Sequence, residues 1–380
     1  METPPMNLSL RRRAVLSHPE DIHCIIFHVL TLVAYGCAFW LYFHPTWIHI
    51  DGLWSRLAFV AGAAIMLGWI SGIDLGVNYH NHTHRRIFRY SWLNRCFGWL
   101  WTFSSGWPSF YWWHSHVVVH HANLLGPTDW TLPRRRADGA FENMFWYCLA
   151  HWPCRSSLEL WRDFTSGRGR PRVGRRALAE LAIFLALWSI PFWIDWRMAL
   201  GLWLLPQWFA NAWTIAPGMY AQHVDCVAKS VLHPVSHSNT FLSRFFNLTT
   251  FNIGYHIEHH DYPAVHWSEL PAFHQRLKDR LIEGGAHVLP FGYYRAGWYR
   301  ERLMQVNRNA ESNRPEFAAQ HPDYVQRQTE EEIPAQKQSC NCNDVEDNDL
   351  RGNFRGTWDI AADSEKKPER VLANRGNTDG

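Results

Sequence analysis

The 380-residue chain has cysteine, but no paired cysteine framework. Of its eight cysteines, Cys24, Cys37, Cys96, Cys148, Cys154 and Cys226 are scattered through apolar or aromatic surroundings. That excludes a disulfide-stapled scaffold and fits reduced thiols. Cys340 and Cys342 form a CxC pair that reads as incidental in a polar stretch. No glycine fingerprint for a dinucleotide follows a strand pattern, and the segment His-Pro-Gly-Gly is absent, so no fused haem domain or flavin reductase is expected. The start does not read as a cleavable signal, because Arg11–Arg13 are followed by the polar run Ser17-His18-Pro19-Glu20-Asp21. Charge is scarce at 19% of residues, with a net +3. The basic clusters at Arg11–Arg13, Arg85-Arg86 with Arg89, Arg134–Arg136 and Arg168–Arg176 flank apolar segments. That placement suits topology signals better than a nucleic-acid face.

What the chain does have is aromatic and apolar bulk. Aromatics make up 15% of it, 23 of them Trp, a residue that concentrates at bilayer interfaces. The mean hydropathy of -0.29 averages over a polar C-terminal stretch and many histidines, and it hides the local runs. Four segments reach or approach the roughly 20 residues a bilayer demands: Ile25–Phe43, Leu57–Tyr79, Ala177–Ile194 and Met198–Ala221. Polar Ser17–Asp21 starts the first helix, His44-Pro45 ends it, and Asp195-Trp196-Arg197 forms the turn of the second hairpin. Pro206 and Pro217 should kink the last span, with Gln207 and Asn211 as polar groups inside it. Residues 92–113 are aromatic but broken by glycine and Pro108, and read as an interfacial or re-entrant element. Asp74 sits within a span. It is either a functional site or a hydrogen-bond partner of another helix.

The histidines fall in clusters at helical spacing. His80 and His84 are four apart; His116, His120 and His121 stand at i, i+4 and i+5; His256, His259 and His260 stand at i, i+3 and i+4. Such spacing aligns imidazoles on one helix face. A lone histidine is usually a core or surface residue. Three clusters beside apolar segments instead point to a metal centre, of a kind suited to iron, copper, zinc or nickel rather than to magnesium or calcium. His82 and His114 point away from their neighbours on a regular helix and are set aside. His233 and His237 lie in a polar loop and read as solvated. The rival class is a metal transporter, but intramembrane polarity is sparse and the histidines cluster outside the spans.

HNHTH (80–84), HVVVHH (116–121) and HIEHH (256–260) resemble the three histidine boxes of the membrane fatty acid desaturase family, and NIGYHIEHH is similar to the third box of its bacterial members. The resemblance runs over about residues 20–300. It implies an all-α integral membrane protein of two transmembrane helical hairpins, four spans in all, with a cytoplasmic helical cap that carries the boxes. It implies a segment 1–24 on the cytoplasmic side and a catalytic domain 25–303; the tail 304–380 lies outside the resemblance and, polar and poor in apolar patterning, reads as disordered. The implied centre is two iron ions held by His80, His84, His116, His120, His121, His256, His259 and His260. His223, in Tyr220-Ala221-Gln222-His223, resembles an additional ligand of the bacterial enzymes. Glu258, Asp225, Asp261 and Asp129 are expected to orient rings from behind. The paired Glu-x-x-His motifs of soluble di-iron bundles are absent.

The implied reaction is dioxygen-dependent desaturation of a fatty acyl chain. Hydroxylation, and decarboxylation to a terminal 1-alkene, are the alternatives. Electrons are expected from a separate ferredoxin, rubredoxin or cytochrome b5 type donor with its reductase.

Overall fold

A computed structural model describes residues 15–126, 128–133, 142–165, 171–224, 226–230 and 233–293, with backbone only at 171–176. The arginine clusters at 11–13 and 134–136, the side chains of the cluster at 168–176, Asp225, the tail 304–380 and its CxC pair all lie outside the described residues.

The described chain is built of helices, with one pair of three-residue strands. Helix α1 (Asp21–Phe43) is apolar along most of its length and stops where proline forces its predecessor out of helical geometry: His44, before Pro45, has φ -124° and ψ 59°. Helix α2 (Leu53–His84) is the longest element, and its winding loosens to a π turn between Asp74 and Tyr79 before the first histidine cluster. Helix α3 (Ser91–Ser105) follows. Gly106 then reverses the chain in the left-handed region, at φ 72°. Helix α4 comprises Ser109–Trp113 and the π-wound stretch His114–His121. Helix α5 spans 144–165, and α6 (Pro171–Trp188) is prolonged by Ile190–Ile194. The Asp195 carboxylate then accepts from the Arg197 and Met198 amides, both at 2.8 Å, and so caps α7 (196–223).

Among the described residues, three helices are long and apolar enough to cross a bilayer: Asp21–Phe43, Leu53–His84 and Ala177–Ile194. The last coincides with the expected third span. The expected fourth, Met198–Ala221, lies in one continuous helix, α7. It carries Pro206, Pro217, buried Gln207 and Asn211, and two π-wound stretches, Leu200–Leu204 and Ala210–Ile215, and does not meet that test of apolarity. The physical reason is its setting. Leu202, Trp203, Gln207, Ala210, Asn211 and Ala212 are all buried, so the polar groups of α7 face protein, while Leu200, Leu204, Trp208 and Trp213 stay exposed on its other face. Small residues bring α2 close to it: a Cβ added at Gly72 would lie 2.4 Å from Cβ of Thr214.

The stretch 92–113 also differs from expectation. Phe97, Trp101, Trp107, Phe110, Tyr111 and Trp112 are buried in the main core, so the stretch is a helix–turn–helix packed largely against protein, and it is not one of the membrane-length apolar helices. Asp74 is a structural junction. It accepts from His28 (2.6 Å), Asn78 (3.1 Å) and the Trp101 indole (2.8 Å), tying α1, α2 and α3 together. The six cysteines within the described residues are all free.

After α7 the chain forms β1 (Asn239–Phe241), α8 (Arg244–Thr249), α9 (His256–Asp261), α10 (Leu270–Glu283) and β2 (His287–Leu289), with β1 and β2 parallel.

Candidate metal centre

The three clusters, whose rings meet across 32 to 179 residues of sequence, converge on one spot, because each is carried on a packed helix. The ligand atoms of His80, His84, His116 and His259 lie within 4.8 Å of one another, and so do those of His120, His223, His256 and His260. The first cluster contributes both its histidines to the first group, as i, i+4 spacing on a regular helix dictates.

The second cluster is divided by its winding. In a π-helix the same-face partner is i+5, so His121 Nε2 stands 3.1 Å from His116 Nε2, while His120 turns toward the other group. The expectation that this cluster aligns on one face therefore gives way to a split between the two groups. The third cluster is divided too: His256 and His260 (Nε2–Nε2 3.1 Å) join the second group, and His259 reaches back to His80 (Nε2–Nε2 2.8 Å). His121 sits between the groups, its ring centroid 4.3 Å from those of both His84 and His260.

Strain sets up the third cluster. Phe251 and Asn252 take left-handed backbone angles, φ 47° and 61°. Gly254 follows, where an added Cβ would lie 2.5 Å from the Phe241 carbonyl oxygen and 2.4 Å from Asn247 Oδ1. The Asn247 side chain also accepts from the Gly254 amide (3.0 Å), locking the entry to α9.

A cation fits these groups. Bonds of about 2.1 Å at right angles place neighbouring nitrogens about 3.0 Å apart, which is the spacing of the Nε2 pairs His84–His116 (2.8 Å) and His223–His256 (3.1 Å). His120 Nε2 is buried with no hydrogen-bond partner, while its Nδ1 is held 3.0 Å from Asp129. That ring therefore presents a lone pair into the second group. Burial and neighbouring imidazoles push His116, His121, His256 and His260 well below the ordinary histidine range, and burial takes His259 down to about 3. Neutral imidazole is the form that binds metal.

The surroundings correct several expectations. Asp129 does accept from a cluster histidine, and Thr131 braces it in turn: the hydroxyl donates at 2.5 Å and the backbone amide at 3.1 Å. Glu258 does not orient a clustered ring; it accepts from Thr240 (2.8 Å) and pairs closely with His274. Asp261 faces Lys229 (2.5 Å) and His237 (3.4 Å). His237 is buried rather than solvated, its pKa lowered to about 4 mainly by burial, and its carbonyl lies 3.2 Å from His223 Nδ1. His82 and His114 stay out of both groups, in accord with their spacing. His82 Nδ1 accepts from the Ile87 amide (3.4 Å), and His114 faces Asp163 (3.5 Å). Sequence reasoning passed over His28, His151, His266 and His274, all buried and hydrogen-bonded. Each stands alone in sequence, and its partner is distant, so spacing carried no signal.

A helical protein with membrane-length apolar helices and eight imidazoles gathered in two adjoining groups is, by class, a candidate histidine-ligated two-metal membrane protein. The model of the family described as fatty acid desaturase matches residues 54–292, and the chain belongs to that family. No curated protein matches it. The family is membrane-bound, with oxidoreductase activity, a fatty acyl substrate and a di-iron centre.

Proposed function

We propose that this protein is a dioxygen-dependent fatty acyl desaturase of the bacterial type, with two irons held by His80, His84, His116, His121 and His259 on one side and His120, His223, His256 and His260 on the other. The observation that carries the reading is the two groups of four converging nitrogens, each within 4.8 Å, set at the ends of membrane-length helices. When bound, the irons supply with dioxygen the oxidising power to take hydrogen from an unactivated methylene. The residues do the rest. Burial and neighbouring imidazoles favour the neutral form of His116, His121, His256, His259 and His260, Asp129 and the His237 carbonyl fix the rings of His120 and His223, and the surrounding aromatic core excludes water. Removal of hydrogens from adjacent carbons gives the alkene; placement of the chain to within about an ångström selects this outcome over hydroxylation or loss of the carboxyl group.

The topology we propose counts α7 as a fourth span, its polar groups buried against protein, which places the first and last ends of the two hairpins and all the boxes on the cytoplasmic side. Catalysis belongs to 25–303, with 1–24 on the same side and 304–380 dispensable; truncation after Asn307 should leave turnover within about twofold, since the tail lacks apolar patterning. Electrons come from a separate ferredoxin, rubredoxin or cytochrome b5 type protein and its reductase. The test is expression in a heterologous membrane with a donor pair, followed by mass spectrometry of lipids and headspace. Unsaturated acyl chains are expected. Hydroxy acids or volatile 1-alkenes in their place would assign one of the other outcomes, and iron uptake without any oxygen-dependent product would favour a transporter.

A further inference from the structure

Beside the first imidazole group lies a small pocket whose lining includes Asp21, Asn81, His84, Arg85, His259 and His266. It has room for about one water molecule. Two of its polar atoms, Asp21 Oδ2 and Asn81 Nδ2, are buried and have no hydrogen-bond partner. One is an acceptor and the other a donor, which is the pair a bridging water satisfies. Asp21 is 3% exposed, too buried for its carboxylate to be explained as a solvated helix-start residue.

Behind Asp21 a hydrogen-bonded chain leads outward. Its Oδ1 is 2.9 Å from His266 Nε2, and His266 Nδ1 is 2.7 Å from the hydroxyl of half-buried Ser268. His18 stacks on His266 with ring centroids 3.8 Å apart, and its own Nε2 faces Glu269 at 3.7 Å. The strand-like contact of residues 15–17 with 87–89, including Ser17 N to Ile87 O at 2.7 Å, holds His18 there. Arg85 faces Glu269 (3.8 Å), and Cys24 lines the same pocket. Burial, His266 and Arg85 lower the pKa of His18 against the pull of Glu269 and Asp21.

We propose that Ser268, His266 and Asp21 form a proton-delivery path from solvent to the first imidazole group. The proposal rests on the oxygen-dependent reading above. Desaturation consumes one dioxygen, two electrons and two protons besides the two hydrogens taken from the acyl chain, and releases one alkene and two waters. The electrons come from the external donor protein, so the two additional protons must cross a buried, water-poor site. His266 takes a proton at Nδ1 through Ser268 and gives one from Nε2 to Asp21. The carboxyl turns it toward the pocket water, and bulk solvent restores the chain.

The test compares Asp21→Asn, Asp21→Glu and His266→Gln with the full-length enzyme in membranes. Asp21→Asn keeps the shape and should keep two irons per chain by elemental analysis. Its turnover should fall on the order of 100-fold with a larger solvent deuterium isotope effect. Formate, a small weak acid, should recover part of that loss, and Asp21→Glu most of it. Independently of turnover, infrared spectra of the metal-free protein should show a carboxylate band that Asp21→Asn removes and that shifts in His266→Gln. Wild-type turnover in Asp21→Asn overturns the proposal, as does slowed turnover with an unchanged isotope effect and no rescue, or loss of iron. A carboxylate band indifferent to His266 also overturns it. If the wild type makes no oxygen-dependent product the functional reading fails, whereas the infrared arm still decides the path.

Discussion

The two imidazole groups are built from the same ligand type yet differ in what stands behind them. The second group is held by hydrogen bonds from outside: Tyr147 donates to the Thr131 carbonyl (2.8 Å), Thr131 donates to Asp129, and Asp129 fixes His120, while the His237 carbonyl fixes His223. Among the described residues, the first group has no such carboxylate brace. Its rings lean on one another instead, with His80 and His116 centroids 4.2 Å apart, and its far side opens on the pocket containing Asp21. A braced site keeps its ligands oriented at a cost in adaptability; a site next to a water-sized pocket has a route for exchange. The contrast suggests a division of labour, with one metal anchored and the other nearer the traffic of protons.

Ligand removal should break both groups and sets the upper limit of effect. His120→Ala and His256→Ala, in the second group, and His84→Ala, in the first, are each expected to abolish product and lower bound iron, measured by elemental analysis beside lipid mass spectrometry. Unchanged turnover in any of them removes that residue from the centre. Asp129→Asn sharpens the comparison. It leaves the ligand but removes the negative charge behind His120, and should cost about 10- to 100-fold in metal affinity or turnover. If the second group is the anchored one, iron titration of this variant should show one weakened site of two; equal weakening of both would dissolve the distinction. Gly254→Ala tests the shared support of α9, since the new methyl would collide with the Phe241 carbonyl and Asn247. A loss of about 1–3 kcal/mol is expected from thermal unfolding, with both groups affected alike.

The sequence was informative about which residues meet and much less so about how they are shared out. Regular helical spacing aligns His80 with His84, which share a group because α2 ends as ordinary helix, but it does not foresee His259 parting from His256 and His260. It failed at 116–121, where winding is set by packing in the core and no local residue announces a π turn. Likewise α7 could be read as a long helix, but Gln207 and Asn211 made sense only once they were seen to be buried against neighbouring helices. Trp107 and Trp152 both donate to Asn211 Oδ1, at 2.9 and 3.1 Å, across sequence separations that no pattern reveals. His237 was misread for a related reason: a polar loop in sequence became a buried wall once α9 packed beside it.

That buried wall gives the mildest and most specific way to separate the groups. His237 titrates at about 4 in the folded protein against about 6.5 when unfolded. Between those values the unfolded chain binds the extra proton, so stability falls as pH drops from about 6.5 toward 4 and is fully present above 6.5. The depression corresponds to at most about 3 kcal/mol. Acid unfolding of the metal-free protein should therefore be shallower in His237→Gln than in the wild type over that window, with the two curves parallel above it. Because only the second group rests on this residue, through the carbonyl that holds His223, iron should leave that site first as the pH is lowered toward 4. Simultaneous release from both sites would mean that the groups stand or fall as one unit, and that the asymmetry in their bracing has no thermodynamic consequence.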